Sequence, residues 1–137
     1  MAEPPAGPGL DLEMGLRHCG GKPTLYLRLL EIFRNDHLSA FDARWTAERL
    51  SGDARAVGRL VHTFKGVCLS VGAVSLGRQA EALEAALAAK DPVATDHLAA
   101  ALLERIPPLQ EEVDRALAHR AAPSPGGVRP VLPPEAA

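Results

Sequence analysis

The chain has 137 residues, 47% of them hydrophobic, and a formal net charge of −2. That is enough material for one buried core, and the near-neutral balance gives no electrostatic reason to expect nucleic acid or an anionic membrane as a partner. Aromatic residues make up only 4%; Ala and Leu dominate the apolar set, which favours helices over strands.

The two cysteines, Cys19 and Cys68, lie far apart with no CxxC spacing. Cys68 sits among apolar residues and reads as a small core side chain. No disulfide framework is implied, which fits a reducing cytoplasm. Residues 1–9 lack the basic and apolar regions of a secretory signal. No apolar run approaches the roughly 18 residues of a membrane span. A soluble, cytoplasmic protein is expected.

In chain order, residues 1–9 contain Pro4, Pro5, Gly7, Pro8 and Gly9, and are expected to form a flexible lead-in. A short helix is expected over residues 10–19, stopped by Gly20 and Gly21. Pro23 suits the first turn of a second helix. Its apolar stripe runs through Leu25, Leu29, Ile32, Phe33, Ala40, Phe41 and Trp45 towards Leu50, with a break near residues 35–37. Ser51 and Gly52 end it, Asp53 is a good N-cap for a third helix, and Gly72 interrupts again.

The fourth helix carries Leu76, Ala80, Leu83 and Leu87 at steps of four, three and four. Asp91 and Pro92 read as an N-cap followed by proline at the first helical position. The last helix carries Leu98, Leu102, Ile106, Leu109, Val113 and Leu117, in phase across Pro107 and Pro108, so a kink is expected there. Residues 121–137 are rich in Pro and Gly and are expected to be a disordered tail. The pattern predicts an all-α fold over residues 10–120: an antiparallel up-down four-helix bundle with a short extra N-terminal helix. All its stripes can be buried within one bundle, which predicts a monomer; an exposed stripe around Leu12, Leu16 or Leu38 would argue otherwise.

The third helix is the informative one. At about 100° per residue, Val57, Leu60, Phe64, Val67, Cys68 and Val71 gather into a core-facing stripe, and His62 lies roughly opposite. Gly58, Arg59, Lys65, Gly66 and Leu69 surround it on the outer face. Two glycines inside a helix cost about 1 kcal/mol each relative to alanine. Their missing side chains leave the imidazole clear for another protein's backbone to approach, with Leu69 as an apolar contact at the edge. Arg59 and Lys65 would favour a phosphoryl group by charge and hydrogen bonding. Phosphoryl transfer asks chiefly for positioning and charge neutralisation. From spacing alone, a simply solvated histidine stays equally open. His18, His37, His97 and His119 show no ligand spacing with His62 on a shared face, so no metal site is expected.

The run His62-Thr63-Phe64-Lys65-Gly66, followed by Val71-Gly72-Ala73 and then Leu76, Ala80, Leu83 and Glu84, closely resembles the histidine-containing phosphotransfer (HPt) domain. That family's signature is a His-x-x-Lys-Gly helix, a Gly-Ala turn and a helix with a Leu-Glu pair. The segment Leu10-Asp11 to Gly15-Leu16, with Leu25-Tyr26, Leu29-Leu30 and Phe33, is similar to the N-terminal part of HPt domains attached to hybrid kinases. The resemblance covers about residues 10–90, and the last helix by architecture only. It implies a four-helix bundle whose His62 accepts a phosphoryl group from an aspartyl phosphate on one receiver domain and returns it to another.

By the same resemblance, Lys65 would contact the phosphoryl oxygens and Gly66 would clear space for the partner. Glu84 occupies a position where the family often has a polar residue near the histidine, although a solvated flank explains it equally well. Gly58, Arg59 and Leu69 are partner contacts read from the helical wheel. No cofactor is implied for this chain, since the receiver would bring Mg²⁺ and the acidic pocket. The implied partners are response-regulator receiver domains and a hybrid histidine kinase. Pro107-Pro108 departs from the family pattern.

An autophosphorylating histidine kinase is the enzymatic alternative. Its dimerisation helix usually has an acidic residue directly after the histidine, where Thr63 stands here, and the chain has no Gly-rich nucleotide-binding domain. A protein that is not itself an enzyme is therefore expected. The other alternative is an adaptor or inhibitor that binds a receiver or kinase without turnover; the joint presence of His62, Lys65 and Gly66 speaks against a degenerate form. Met1 and the loose ends favour a free-standing protein.

Overall fold

The computed structural model describes residues 9–121, and every regular element among them is helical. The order is α1 (Leu12–His18), α2 (Pro23–Ile32), a π-helical segment (Phe33–Leu38), α3 (Phe41–Ser51), α4 (Ala54–Val71), α5 (Val74–Ala88) and α6 (Pro92–Ala121). The two loose ends expected from composition lie outside the described residues, apart from Gly9, whose N–H donates to Glu112 Oε1 at 2.7 Å, and Ala121, which ends α6.

The boundaries follow from local chemistry. Asp11 and Asp53 cap α1 and α4 by accepting from Met14 N and from Arg55 N and Ala56 N. Asp91 accepts from Ala94 N at the start of α6. Gly52 and Gly72 end α3 and α4 in the left-handed region, where a residue without Cβ carries no penalty.

The second expected helix is divided, and its buried line differs from the expected one. Leu25, Leu29 and Ile32 are 43%, 39% and 40% exposed, whereas Tyr26, Leu30 and Phe33 are buried. The aromatic residue decides the rotation: Tyr26 packs inward and its hydroxyl donates to Val71 O at 2.8 Å, so one phenol contributes both apolar area and a satisfied polar tip. Burial pushes the Tyr26 hydroxyl up to about 12. The next buried residue after Phe33 is Leu38, a step of five, and then Phe41 and Trp45 follow at three and four. A π-helical turn absorbs a five-residue step and keeps the line facing the core. The break expected near residues 35–37 falls inside it.

Phe41 is the hinge of the core, stacked on Phe64 of α4 with centroids 4.2 Å apart and on Trp45 at 6.2 Å. Cys68 is fully buried, as expected, and desolvation pushes its thiol far above the ordinary range. The last helix runs unbroken through Pro107 and Pro108; Ala99, Leu102, Ile106, Leu109 and Val113 keep one buried line across them, and both prolines face solvent. Side-chain bonds tie α6 to the second helical stretch: Asp114 to Arg34, Gln110 to Ser39, and Asp96 to Arg49. Leu38 is buried and Leu12 is 49% exposed. Among the described residues no helix is long and apolar enough to cross a membrane.

Helix α4 carries His62, and its C-terminal end is tightly held. The last carbonyls of a helix have no partner within it. Here Asp11 N–H donates to Gly72 O at 2.7 Å, Tyr26 Oη donates to Val71 O, and His18 Nδ1 lies 3.2 Å from Ser70 O. Helix α1 and the start of α2 thus cap the histidine-bearing helix. Gly72 has φ +90°, and a Cβ there would fall 2.1 Å from Asp11 O. Gly72→Ala is therefore expected to lower unfolding stability by at least about 2 kcal/mol, from backbone strain and displacement of α1 together. Equal denaturant midpoints for this variant and wild type would contradict the capping account.

Candidate functional site

Helix α4 contains no acidic residue, and its two faces separate sharply. Val57, Val61, Phe64, Cys68 and Val71 are buried, with Leu60 and Val67 packed partly against them; Val61 joins the expected stripe near its centre. Opposite them the His62 side chain is 66% exposed.

The glycines on that face are not there for internal packing. Among the described residues, a Cβ on Gly58 or on Gly66 would meet nothing within 4 Å. At Gly77 of α5, by contrast, a Cβ would fall 2.6 Å from Leu69 Cδ2. Gly77 is required by the chain's own hairpin, whereas Gly58 and Gly66 leave bare backbone on either side of His62. Arg59 is exposed beside them and has no ion-pair partner among the described residues.

Leu69 departs from its expected role. It is half-buried and closes over Gly77, so it serves the α4–α5 contact rather than an exposed edge. The physical reason is its position on the same flank of α4 as Lys65, the flank that turns towards α5.

Glu84 of α5 is central to the site. Its Oε2 lies 2.7 Å from His62 Nδ1, and its Oε1 accepts from Lys65 Nζ at 2.7 Å. The register that sets Leu69 against Gly77 also sets His62 against Glu84, because both pairs step symmetrically away from the Gly72-Ala73 turn. Lys65 is accordingly folded against Glu84 rather than extended into solvent, with its side chain only 22% exposed. The Lys65 hydrogen bond, aided by that from His62, holds the Glu84 carboxyl below the usual carboxylate range against the opposing pull of partial burial. An ionised carboxylate only accepts, so Nδ1 of His62 carries the ring proton in this pair. The lone pair of the neutral ring then sits on Nε2, the nitrogen away from Glu84.

Sequence reasoning placed His62, Lys65 and Gly66 on one face, and the family resemblance put a polar Glu84 near the histidine, but no spacing signalled its bonds to both residues, which lie 22 and 19 positions away. Among the described residues no three histidines, cysteines or carboxylates gather as a metal site.

The Hpt domain family model matches residues 27–119, more than half of the chain. The chain belongs to the Hpt domain family. Hpt domains are histidine-phosphotransfer modules of two-component phosphorelays, where they work with receiver domains and kinases. The matched span takes in the His62 helix, Glu84 and most of α6, and leaves α1 outside it. No curated protein and no solved structure matches the chain.

The carboxyl titration tests the site's electrostatics. A folded-state value held below the ordinary one means that the Glu84 interactions are present above the ordinary glutamate range and are lost as pH falls through the lowered value. In Lys65→Met, the Glu84 carboxyl carbon followed by NMR is expected to titrate at a higher pH than in wild type, because the largest stabilising bond is gone. An unchanged midpoint would show that Lys65 does not hold the carboxylate.

Proposed function

We propose that His62 accepts a phosphoryl group from the aspartyl phosphate of one receiver domain and passes it to the aspartate of another. The observation that carries this reading is an exposed imidazole with its Nδ1 fixed by Glu84, flanked by two glycines that no packing among the described residues requires. The attacking nitrogen is Nε2. Lys65, already beside the ring, would turn towards the phosphoryl oxygens as charge builds on them, and Gly58 and Gly66 would let a partner's loop reach the ring. Arg59 would meet the acidic rim of the partner. The receiver would supply Mg²⁺, so this chain needs no cofactor of its own and acts as a phosphorylated intermediate rather than an enzyme.

The same reading takes the long helices as an antiparallel up-down bundle with α1 as the extra short helix. It takes the working unit as a monomer in the cytoplasm, served by a hybrid histidine kinase. The pairing of α4 with α5 through His62–Glu84 and Leu69–Gly77, and of α6 with α3 through Arg49–Asp96, supports that arrangement.

The direct test uses a receiver domain charged by a small phosphodonor and mixed with wild type or with His62→Gln. Acid-labile, base-stable label is expected on wild type only. The variant should keep its helix content, since its exposed side chain makes no core contact and such changes usually stay within about 0.5 kcal/mol. A complex that assembles without label on either form would replace this reading with the adaptor or inhibitor alternative. Gly66→Leu should stay folded yet lose most of its transfer rate, because the new side chain projects into the partner's approach. Wild-type rates in that variant would sink the steric role of the glycine.

A further inference from the structure

Resting on that phosphotransfer reading, we propose that Glu84 keeps the Nδ1 proton on His62 throughout the phosphorylated state, so that the relay runs in both directions without proton exchange. Glu84 is then a positioning and charge-balancing residue for the leaving group.

The bond changes set the requirement. On acceptance, the Nε2 lone pair forms the N–P bond while the P–O bond to the receiver aspartate breaks and its electron pair returns to that carboxylate. If Nδ1 keeps its hydrogen, the ring becomes a phosphoimidazolium with one positive charge. On release, an aspartate oxygen of the second receiver forms a P–O bond, the N–P bond breaks, and its pair returns to Nε2. The leaving group is then neutral imidazole, and the protein is back in its starting state. Were the Nδ1 hydrogen lost from the phosphorylated ring, release would have to expel an imidazolate anion, a far poorer leaving group unless another group supplied a proton.

The geometry favours the first course. The ring hydrogen points at a carboxylate oxygen 2.7 Å away, and a second bond of 2.7 Å to Lys65 fixes that carboxylate in place. Of the charged groups near the ring, Arg59 and Lys65 stand about one turn away on α4, and Glu84 reaches it from α5. The two cations oppose a positive ring, and the Glu84 carboxylate in contact with it favours it. Lys65 serves both stages: it anchors Glu84 beside the resting ring and lies within reach of the phosphoryl oxygens on the loaded one.

Glu84→Gln separates charge from position, because its side-chain carbonyl can still accept from Nδ1–H while the negative charge is gone. In the full chain, loading of His62 and onward transfer are measured separately against pH with a receiver as donor and then as acceptor. Onward transfer from wild type should fall off only on the alkaline side. In Glu84→Gln that fall should begin at least about one pH unit lower, the usual scale for removing an adjacent opposite charge. Glu84→Asp should recover part of the wild-type profile. Superimposable onward-transfer profiles would overturn the proposal while leaving His62 as the phosphorylated residue. Equal slowing of loading and release would also overturn it, by showing that Glu84 only orients the ring. A wild type that takes no label would remove the phosphotransfer reading itself, and this proposal with it.

Discussion

Glu84 stands 2.7 Å from both His62 and Lys65, and this three-way contact depends on the register between α4 and α5. A shift of one residue in either helix would rotate its side chains by about 100° and take the carboxylate away from the ring. The register is fixed mechanically at two places. Gly72 makes the left-handed turn that ends α4, and Gly77 admits Leu69 where any side chain would collide with it. Two glycines of the hairpin are thus used for internal fit, and two others, Gly58 and Gly66, leave the surface around His62 bare.

Anchoring of the same helix continues at its far end. Asp11 and Tyr26, with His18 beside Ser70, cover the carbonyls that α4 leaves open at residues 70–72. The stacked rings of Phe41 and Phe64 hold its middle. A rigid, well-anchored helix suits a group that must be presented to successive partners, because less order then has to be gained at each encounter.

Much of this was legible from spacing. The wheel of α4 separated His62 from the core stripe correctly, since a buried line at steps of three and four is a strong local signal, and the capping residues Asp53, Gly72 and Asp91 marked helix ends by chemistry that acts within a few residues. The failures were of three physical kinds. In α2 three leucine and isoleucine positions outweighed one tyrosine in the pattern, yet the buried phenol with its bond to Val71 set the rotation. Leu69 was placed at an exposed edge because its partner Gly77 belongs to another helix, and the resemblance put Glu84 near His62 without showing its bonds, since a contact between helices leaves no periodic trace in either. The five-residue step from Phe33 to Leu38 was seen only as a break, since the π-helical turn that rescues the phase cannot be read from an assumed regular helix.

The account centres on one nitrogen carrying the phosphoryl group while the other stays bonded to Glu84. NMR of the phosphorylated protein with ¹⁵N-labelled histidine tests this most directly, because phosphorus–nitrogen coupling identifies the bonded nitrogen and the ¹⁵N shifts report which nitrogen bears hydrogen. The account predicts phosphorus on Nε2 of His62 and hydrogen retained on Nδ1. Phosphorus on Nδ1, on another histidine, or on Nε2 with Nδ1 bare at neutral pH would contradict it.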